Sequence, residues 1–340
     1  MTVSLVPWLA AVPPLAAAQV RGAREVLIVS HENPDADTLG AALGVRAIVA
    51  AGGGRASLVC SDPPPPLYDF LPGIADVRTD PENSRSYDLL VIVDCGSLDR
   101  VGEVRERHAA LFERLPTVVI DHHASNGATG PSDWVDPGSA ATCELVALLA
   151  VALGVPLTTG AGDLATVLLA GIVMDTATFA HPNATPRTLS VAAALVDAGA
   201  PLAEISRRLY RSKPDAQLRL FGRVLDRLET AAAGLVIHST LLAADVTEIG
   251  AMSAHSEGII DLLSQAEDAE VAILFKEAGP DVTRISVRTK PGGVDATVLT
   301  GLFGGGGHAR AAGASVPTGV EAARAAVLPK AARLAADIKR

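Results

Sequence analysis

The stretch TVVIDHHASN, residues 117–126, is the most informative part of the sequence for both the fold and a functional site. A short β-branched run leads directly into Asp121, His122 and His123. Neighbouring side chains on a strand point to opposite faces, so adjacent histidines are unexpected if the strand continues. The chain has only 8 histidines in 340 residues, which makes this pairing unusual. We predict that a buried strand ends here and that the side chains at its end have a functional role.

Three further runs in the first half are typical of the same kind of strand. They are EVLIVS (25–30), RASLVC (55–60) and DLLVIVDC (88–95). Alanine-rich stretches with helical spacing separate the strands or follow them, including residues 36–54 and 161–179. Continuous apolar strands that alternate with helices predict an α/β fold, in which a parallel sheet has helices on both faces.

The second half has a different pattern. Residues 204–230 are charged and amphipathic, which predicts a connecting helix or a pair of helices broken near Pro214. Strand-like runs resume at 234–242, 269–279 and 281–290, and the last two read as an antiparallel hairpin. These strands predict a smaller α/β domain with a mixed sheet.

The length supports two domains, because 340 residues exceed what one hydrophobic core usually organises. We expect a first domain over residues 1–200, a helical linker over 201–232 and a second domain over 233–340.

Composition limits the classes of partner. The net charge of −10 and the pI of about 5.3 argue against coating long nucleic acid, since such binding neutralises many phosphates. A pocket for one short phosphorylated ligand remains compatible with this charge.

Cys60, Cys95 and Cys143 form no CxxC pair, which favours reduced thiols in a cytoplasmic protein. The longest apolar run, residues 145–157, is too short to span a bilayer, so we expect no membrane partner.

Acids and imidazoles follow the predicted strands at the point where each strand ends. Ligands of open α/β sheets bind beyond the carboxyl ends of the strands, so these side chains should meet at one edge. Asp175 follows an apolar helix that could reach the same edge. The set comprises His31, Asp35, Asp37, Asp94, Asp121, His122, His123 and Asp175.

Converging acids repel one another and raise one another's pKa values, and a cation removes that conflict. Carboxylates with a few imidazoles suit Mn²⁺, Mg²⁺, Fe²⁺ or Co²⁺, whereas structural zinc sites prefer thiolates. One ion does not need so many ligands. Two ions sharing a bridging carboxylate fit better, and such pairs hydrolyse phosphoryl compounds. An aspartate alone at a strand end usually caps the next helix, but several acids in this order favour a metal site.

Five segments together resemble a known family. HENPDADTLG (31–40), VIVDCG (91–96), VVIDHH (118–123) and GIVMDTATF (171–179) resemble the four motifs of the DHH phosphoesterase superfamily. GLFGGGGHARAAGA (301–314) resembles the glycine-rich motif of the DHHA1 domain. Together these motifs resemble those of the short, two-domain NrnA-like branch of the superfamily. The resemblance extends over nearly the whole chain. DCGSLDR (94–100) and DTATFAH (175–181) differ at small residues from the sequence that is more common in the family, which puts substrate preference in doubt.

The resemblance implies roles for the residues at the sheet edge. Asp94 would bridge two divalent ions, most often Mn²⁺, with Mg²⁺ or Co²⁺ as alternatives. Asp121 would orient a histidine from outside the ligand set. His123 would face the scissile phosphate or its leaving oxygen and act with Asp94 as a catalytic residue. The implied ligands are His31, Asp35 and Asp94 for one ion, and Asp37, Asp94, His122 and Asp175 for the other.

Glycines let backbone N–H groups approach an anion closely, although four glycines alone are more often a flexible loop. The resemblance implies that Arg288, Gly306, Gly307 and His308 contact the substrate. Short oligoribonucleotides (nanoRNA), pApA and cyclic di-AMP would give 5′-mononucleotides, and 3′-phosphoadenosine 5′-phosphate (PAP) would give AMP. The resemblance also implies a homodimer.

Three other functions remain open. A family-II-type inorganic pyrophosphatase shares the first domain's motifs but carries a different second domain. A RecJ-like exonuclease is a further alternative, against which the short acidic chain argues. A nucleotide sensor without catalysis would have lost ligands, and none of the predicted ones is missing.

Overall fold

The computed structural model describes residues 3–82, 84–127 and 130–337. Two compact units divide between Ser212 and Lys213. This division falls inside the segment 201–232 that was predicted as a linker. Each unit has its own sheet and its own hydrophobic cores.

The first unit is built on a sheet of five strands in the order β2-β1-β3-β4-β5, and every neighbouring pair is parallel. The strands are Glu25–Val29 (β1), Arg55–Val59 (β2), Leu89–Val93 (β3), Thr117–Asp121 (β4) and Trp134–Val135 (β5). The predicted parallel sheet is confirmed, and β5 is an addition. The strand order reverses beside β1 and β3, and this switch point is where open α/β sheets bind ligands.

Helices cover both faces of this sheet, as predicted. They are Pro14–Gly22 (α1), Ala36–Ala51 (α2), Glu103–Arg107 (α3), Ala109–Arg114 (α4), Thr142–Ala152 (α5), Asp163–Asp175 (α6), Pro186–Asp197 (α7) and Leu202–Tyr210 (α8). Val26, Ile28 and Val91 face a large core against α2, α5 and α6. Leu27 and Leu90 face the opposite core, which includes residues of α3 and α4. The continuous apolar strands are therefore buried from both sides.

The second unit has a mixed sheet in the order β10-β11-β9-β8-β7-β6, which confirms that prediction. Its strands are Glu229–Ala231 (β6), Val236–Leu241 (β7), Val271–Gly279 (β8), Val282–Thr289 (β9), Gly306–His308 (β10) and Ala311–Val316 (β11). Only β7 and β8 pair in parallel, and β8 and β9 form the predicted hairpin. The helices are Asp215–Asp226 (α9), Ala243–Ile249 (α10), Ile259–Leu263 (α11), Ala296–Gly301 (α12) and Val320–Asp337 (α13).

Short 3₁₀ helices complete the described structure. They are Val6–Ala11, Pro66–Tyr68, Ile74–Asp76, Leu98–Val101, Ala232–Gly234 and Ser253–Ser256.

A close approach of α2 and α6 positions the acids of the first unit. A Cβ built on Gly171 of α6 would lie 2.5 Å from Asp37 Oδ1 and 2.9 Å from Asp37 Cα. No side chain fits in that space, so glycine is required for the two helices to pack at this distance. The contact carries Asp37, near the start of α2, to the end of α6, where Asp175 lies.

Among the described helices, no single one combines the length and apolarity needed to cross a membrane. The bent pair α7 and α8, with 112° between the helices, meets that test by length and composition only.

Candidate active site

Eight predicted side chains lie at the carboxyl edge of the first sheet. Strand ends place five of them, namely His31 after β1, Asp94 after β3, and Asp121, His122 and His123 at and after β4. The remaining three are Asp35 and Asp37 at the start of α2 and Asp175 at the end of α6.

The first cluster is His31, Asp35 and Asp94. His31 Nε2 lies 3.5 Å from Asp94 Oδ2 and 3.8 Å from Asp35 Oδ2. Asp35 also caps α2, since its Oδ1 accepts hydrogen bonds from the backbone N–H groups of Asp37 and Thr38. The two interpretations of Asp35 are thus compatible, because one oxygen caps the helix and the other faces the histidine.

The second cluster is Asp37, His122 and Asp175, and Asp94 touches it. His122 Nε2 lies 3.2 Å from Asp175 Oδ2, 4.0 Å from Asp37 Oδ2 and 3.5 Å from Asp94 Oδ1. One possible ligand atom from each member of either cluster lies within 4.8 Å of the others. Asp94 turns one oxygen toward His31 and the other toward His122, which is the arrangement that a bridging carboxylate needs.

Asp37 is fully buried and is held at the N-terminus of α5. Its two oxygens accept hydrogen bonds from the backbone N–H groups of Thr142, at 2.6 Å, and Cys143, at 2.9 Å. A helix N-terminus stabilises negative charge, so α5 offsets part of the cost of burying this carboxylate. The hydroxyl of Thr142 donates to Asp94 Oδ1 at 2.9 Å and fixes the second acid as well.

His122 and His123 diverge because the strand ends at Asp121. Asp121 Oδ1 accepts hydrogen bonds from the backbone N–H groups of both histidines and from His123 Nδ1, at 2.8 Å. Asn126 donates to Asp121 Oδ2 at 2.6 Å. The ring that Asp121 orients is therefore that of His123. The opposite ring nitrogen of His123 is left as the one for a ligand, in a side chain that is 34 % exposed.

The pKa values show how crowded the charges are. Burial, and then repulsion from Asp94, raise the pKa of Asp37 well above its ordinary value. Burial also raises the pKa of Asp175 to about 6, although its hydrogen bond with His122 opposes the shift. Burial alone would lower the pKa of His122, but the hydrogen bond to Asp175 and the charges of Asp37 and Asp94 raise it to about 10. The buried cluster thus favours bound positive charge.

The donor set fits divalent cations that prefer oxygen and imidazole. Four carboxylates and three imidazoles converge, and the repulsion among the carboxylates is what a cation relieves. Cys143 is nearby, but burial raises the pKa of its thiol well above the ordinary value, so it remains protonated. A thiolate-bound zinc site is therefore disfavoured, while the predicted pair of ions matches the donors present.

The second unit places the predicted substrate residues on β9 and β10, the two strands on either side of β11. Arg288 of β9 pairs with Ala311 of β11, and Ala311 pairs with His308 of β10, so all three side chains share a face. Gly306 and Gly307 form the rest of β10. Arg288 Nε donates to Asp261 Oδ1 at 2.8 Å. Of the four glycines, Gly304 and Gly305 thus precede the edge strand β10, and Gly306 and Gly307 lie in it.

Three residues of the site were missed from the sequence. Asn126 lies inside the stretch 117–126, five residues after Asp121, and its amide was the available signal. Thr142 opens an apolar helix, and nothing in its local pattern indicates contact with Asp94. Arg100 belongs to the motif DCGSLDR, and its Nη2 lies 3.2 Å from His31 Nδ1.

Comparisons with known families agree with this geometry. A fold with a parallel sheet, two acid and histidine clusters at its switch point and a separate mixed-sheet unit defines a two-domain phosphoesterase. The model of the DHH family N-terminal domain matches residues 25–172, and that of the DHHA1 domain matches residues 236–336. The chain belongs to the DHH phosphoesterase family and carries a DHHA1 domain.

Relatives and a solved structure extend over most of the chain. The chain is 33 % identical to a bifunctional oligoribonuclease and PAP phosphatase NrnA of Thermus thermophilus, over 86 % of this chain and 84 % of that protein. It is 26 % identical to the Bacillus subtilis protein of the same name, over 88 % and 91 %. An exopolyphosphatase-related protein from Bacteroides fragilis superposes with a TM-score of 0.84 at 21 % identity, over 96 % of this chain and 98 % of that one. This last likeness shows the shared fold.

Proposed function

We propose that the chain hydrolyses short oligoribonucleotides, including nanoRNA, pApA and cyclic di-AMP, to 5′-mononucleotides, and PAP to AMP. The observation that carries the proposal is the pair of clusters that share Asp94 at the switch point of the first sheet. The names of the relatives from Thermus thermophilus and Bacillus subtilis support short oligoribonucleotides and PAP as substrates. The acidic chain favours short substrates over long nucleic acid.

We infer that two divalent ions, most often Mn²⁺, with Mg²⁺ or Co²⁺ as alternatives, are held by the clusters. The ligands would be His31, Asp35 and Asp94 on one side, and Asp37, Asp94, His122 and Asp175 on the other. When bound, such ions activate water and stabilise charge on phosphoryl oxygens.

In the proposed hydrolysis, His123 donates a proton to the leaving group. Its Nδ1–H donates to Asp121 Oδ1, so Asp121 fixes the tautomer and stabilises the ring when it is protonated. A water molecule attacks phosphorus as the bond from phosphorus to the 3′ oxygen breaks, and Nε2–H of the protonated ring gives its proton to that departing oxygen. The proton lost by the attacking water restores the protonated ring. Asp94 is catalytic in a different sense, because its two oxygens, which face His31 and His122, would help to hold both ions.

We propose that the second unit recognises the substrate through Arg288, Gly306, Gly307 and His308. The support is their common place on β9 and β10, with Arg288 and His308 in register through β11. An arginine fork suits a phosphate, and glycines admit close backbone contact. Residues 1–200 would form the catalytic domain, 201–232 the linker and 233–340 the substrate-binding domain, and the working form would be a homodimer.

The first experiment is hydrolysis of pApA by the purified protein, with and without Mn²⁺, beside an Asp94→Asn variant. Asp99→Asn is the matched control, since the Asp99 side chain is 93 % exposed and lies five residues away in the same segment. We expect Mn²⁺-dependent release of AMP that Asp94→Asn abolishes and Asp99→Asn preserves. Parallel assays with cyclic di-AMP, PAP and Mg²⁺ or Co²⁺ rank substrates and ions.

Two results would contradict the proposal. Phosphate release from pyrophosphate without AMP from pApA would favour the pyrophosphatase alternative. Inactivity on both substrates, together with tight nucleotide binding, would favour the sensor alternative.

A further inference from the structure

Arg100 is a half-buried cation at the edge of the acidic clusters. It lies in the 3₁₀ helix Leu98–Val101, which follows Asp94 closely along the chain. Its backbone carbonyl accepts a hydrogen bond from the N–H of Glu32 at 2.7 Å, which ties this segment to the residue after His31. Its guanidinium Nη2 lies 3.2 Å from His31 Nδ1. Within the described ranges of the chain, Arg100 has no carboxylate partner.

The contact with His31 is in conflict with a second contact of the same nitrogen. His31 Nδ1 also lies 2.7 Å from the carbonyl oxygen of Glu32. A neutral imidazole has one N–H and one lone pair, so Nδ1 cannot both donate to Glu32 and accept from Arg100. His31 Nε2 faces Asp35 and Asp94, and it needs its own lone pair to serve as a ligand. The tautomer suited to that role places the hydrogen on Nδ1, where it donates to Glu32.

Among the described residues, this tautomer leaves the Nη2 of Arg100 without a hydrogen-bond acceptor. A half-buried guanidinium N–H without a partner costs free energy, so the site favours a ligand that supplies an oxygen. The clusters hold four carboxylates, which repel a phosphate. Arginine matches phosphate oxygens in charge and in geometry.

We propose that Arg100 binds a non-bridging oxygen of the phosphoryl group that is hydrolysed, an assignment that rests on the proposed function. Its charge then offsets the negative charge of that group during the reaction. The role differs from that of the second unit's Arg288, because Arg100 acts at the scissile phosphate.

The test compares Arg100→Gln and Arg100→Lys with Arg105→Gln. Arg105 is the matched control, since it follows the same strand and pairs with the exposed Asp99 at 2.9 Å. Calorimetric titration of the Mg²⁺-loaded protein with inorganic phosphate measures the anion directly. We expect the phosphate Kd to rise roughly 10-fold or more in Arg100→Gln, as for loss of a charged hydrogen bond, and less in Arg100→Lys. Arg105→Gln and the Mg²⁺ affinity of all variants should stay at wild-type values.

Kinetics with pApA give a second readout. We expect kcat/KM to fall by about the same factor as phosphate affinity in Arg100→Gln, because the lost contact is made to the reacting group. Wild-type phosphate affinity in Arg100→Gln would overturn the proposal. Loss of Mg²⁺ binding would also overturn it, since Arg100 would then act by supporting His31. If the wild-type protein does not hydrolyse pApA, the proposed function fails, while the phosphate titration still decides the role of Arg100.

Discussion

Asp94 adopts a backbone conformation that few residues tolerate. Its φ of 54° lies in the left-handed region, where a residue other than glycine costs on the order of 1–3 kcal/mol. The bend comes directly after β3 and turns the carboxylate back over the edge of the sheet. Thr142 then fixes Oδ1 by a hydrogen bond, and the two oxygens face His31 and His122 separately. The backbone strain thus occurs at the residue whose carboxylate both clusters share.

Replacing Asp121 with asparagine tests how His123 is oriented. Asp121 only accepts hydrogen bonds, from His123 Nδ1, two backbone N–H groups and Asn126. An amide would turn its NH₂ group toward one of these donors. We expect kcat for pApA to fall about 10- to 100-fold, the range typical for partners of active-site histidines. Steady-state kinetics beside a Mn²⁺ titration measure the effect.

The Mn²⁺ affinity of Asp121→Asn should stay close to the wild-type value, because the ring of His122 makes no hydrogen bond to Asp121. Asp99→Asn again serves as the exposed control. An unchanged kcat, or a loss of Mn²⁺ binding with kcat preserved at saturating ion, would show that Asp121 acts differently.

At the scale of elements, the sequence predicted where the strands lie better than it predicted the contacts between segments that are distant in the chain. Continuous apolar runs identified β1 to β4, since burial on both faces demands such residues. The two residues of β5 and the three of β10 are too short to show a period. Arg100 and His31 are in contact although they are 69 positions apart in the sequence, and no local sequence pattern predicts such a contact. The candidate ligands were predictable because each follows a strand or helix end, whereas Thr142 depends on how α5 packs.

Gly171→Ala should separate the packing of α2 and α6 from helix propensity. Alanine favours a helix over glycine by about 0.5–1 kcal/mol, but its Cβ would lie 2.5 Å from Asp37 Oδ1. Overpacking typically costs about 1–3 kcal/mol, so we expect net destabilisation and weaker Mn²⁺ binding. Urea unfolding and a Mn²⁺ titration measure both effects.

Gly222→Ala is the matched control for that variant. Gly222 is an exposed glycine of α9, and a Cβ there meets nothing within 4 Å. It should stabilise the protein slightly and leave Mn²⁺ binding unchanged. A stability gain in Gly171→Ala equal to that in Gly222→Ala would contradict the close approach of α2 and α6.

The Arg227–Asp245 pair should make the stability of the second unit depend on pH. Arg227 donates to both oxygens of the buried Asp245, at 2.5 and 2.8 Å, and links the end of α9 to α10. This hydrogen bonding lowers the pKa of Asp245 despite its burial. The contribution is therefore complete above the pKa of an unfolded aspartate, about 4, and is lost as the pH falls through the folded pKa.

We expect Asp245→Asn to lower the free energy of unfolding by about 1–3 kcal/mol at pH 7. The difference from the wild-type protein should narrow at pH 3, which lies below the pKa of an unfolded aspartate, about 4. Denaturant unfolding at both pH values measures this. The exposed Asp226→Asn is the control, and an equal loss in that variant, or a difference that widens at low pH, would argue against the pair.

At the scale of the whole molecule, the two units should respond differently to divalent ions. All the candidate ligands lie in the first unit, between residues 31 and 175. An ion that binds only the folded state stabilises it by about 2.7 kcal/mol at a free concentration 100 times its Kd. Without ions, the burial of Asp37 and the repulsion from Asp94, which raise the pKa of Asp37, act against the folded first unit. Removing divalent ions should therefore weaken that unit and leave the second sheet's local stability unchanged.

Hydrogen exchange of the chelator-treated protein, before and after addition of Mn²⁺, distinguishes these responses. We expect protection to rise first in the segments that carry the ligands, around Asp37 at the start of α2 and around Asp121 to His123 after β4. Exchange in β8 and β9 should change little, because their amides lie in the other unit. Asp94→Asn should suppress the gain, since it removes the carboxylate shared by both clusters. Protection that rises in β8 and β9 but not near Asp37 would contradict the assignment of the ligands.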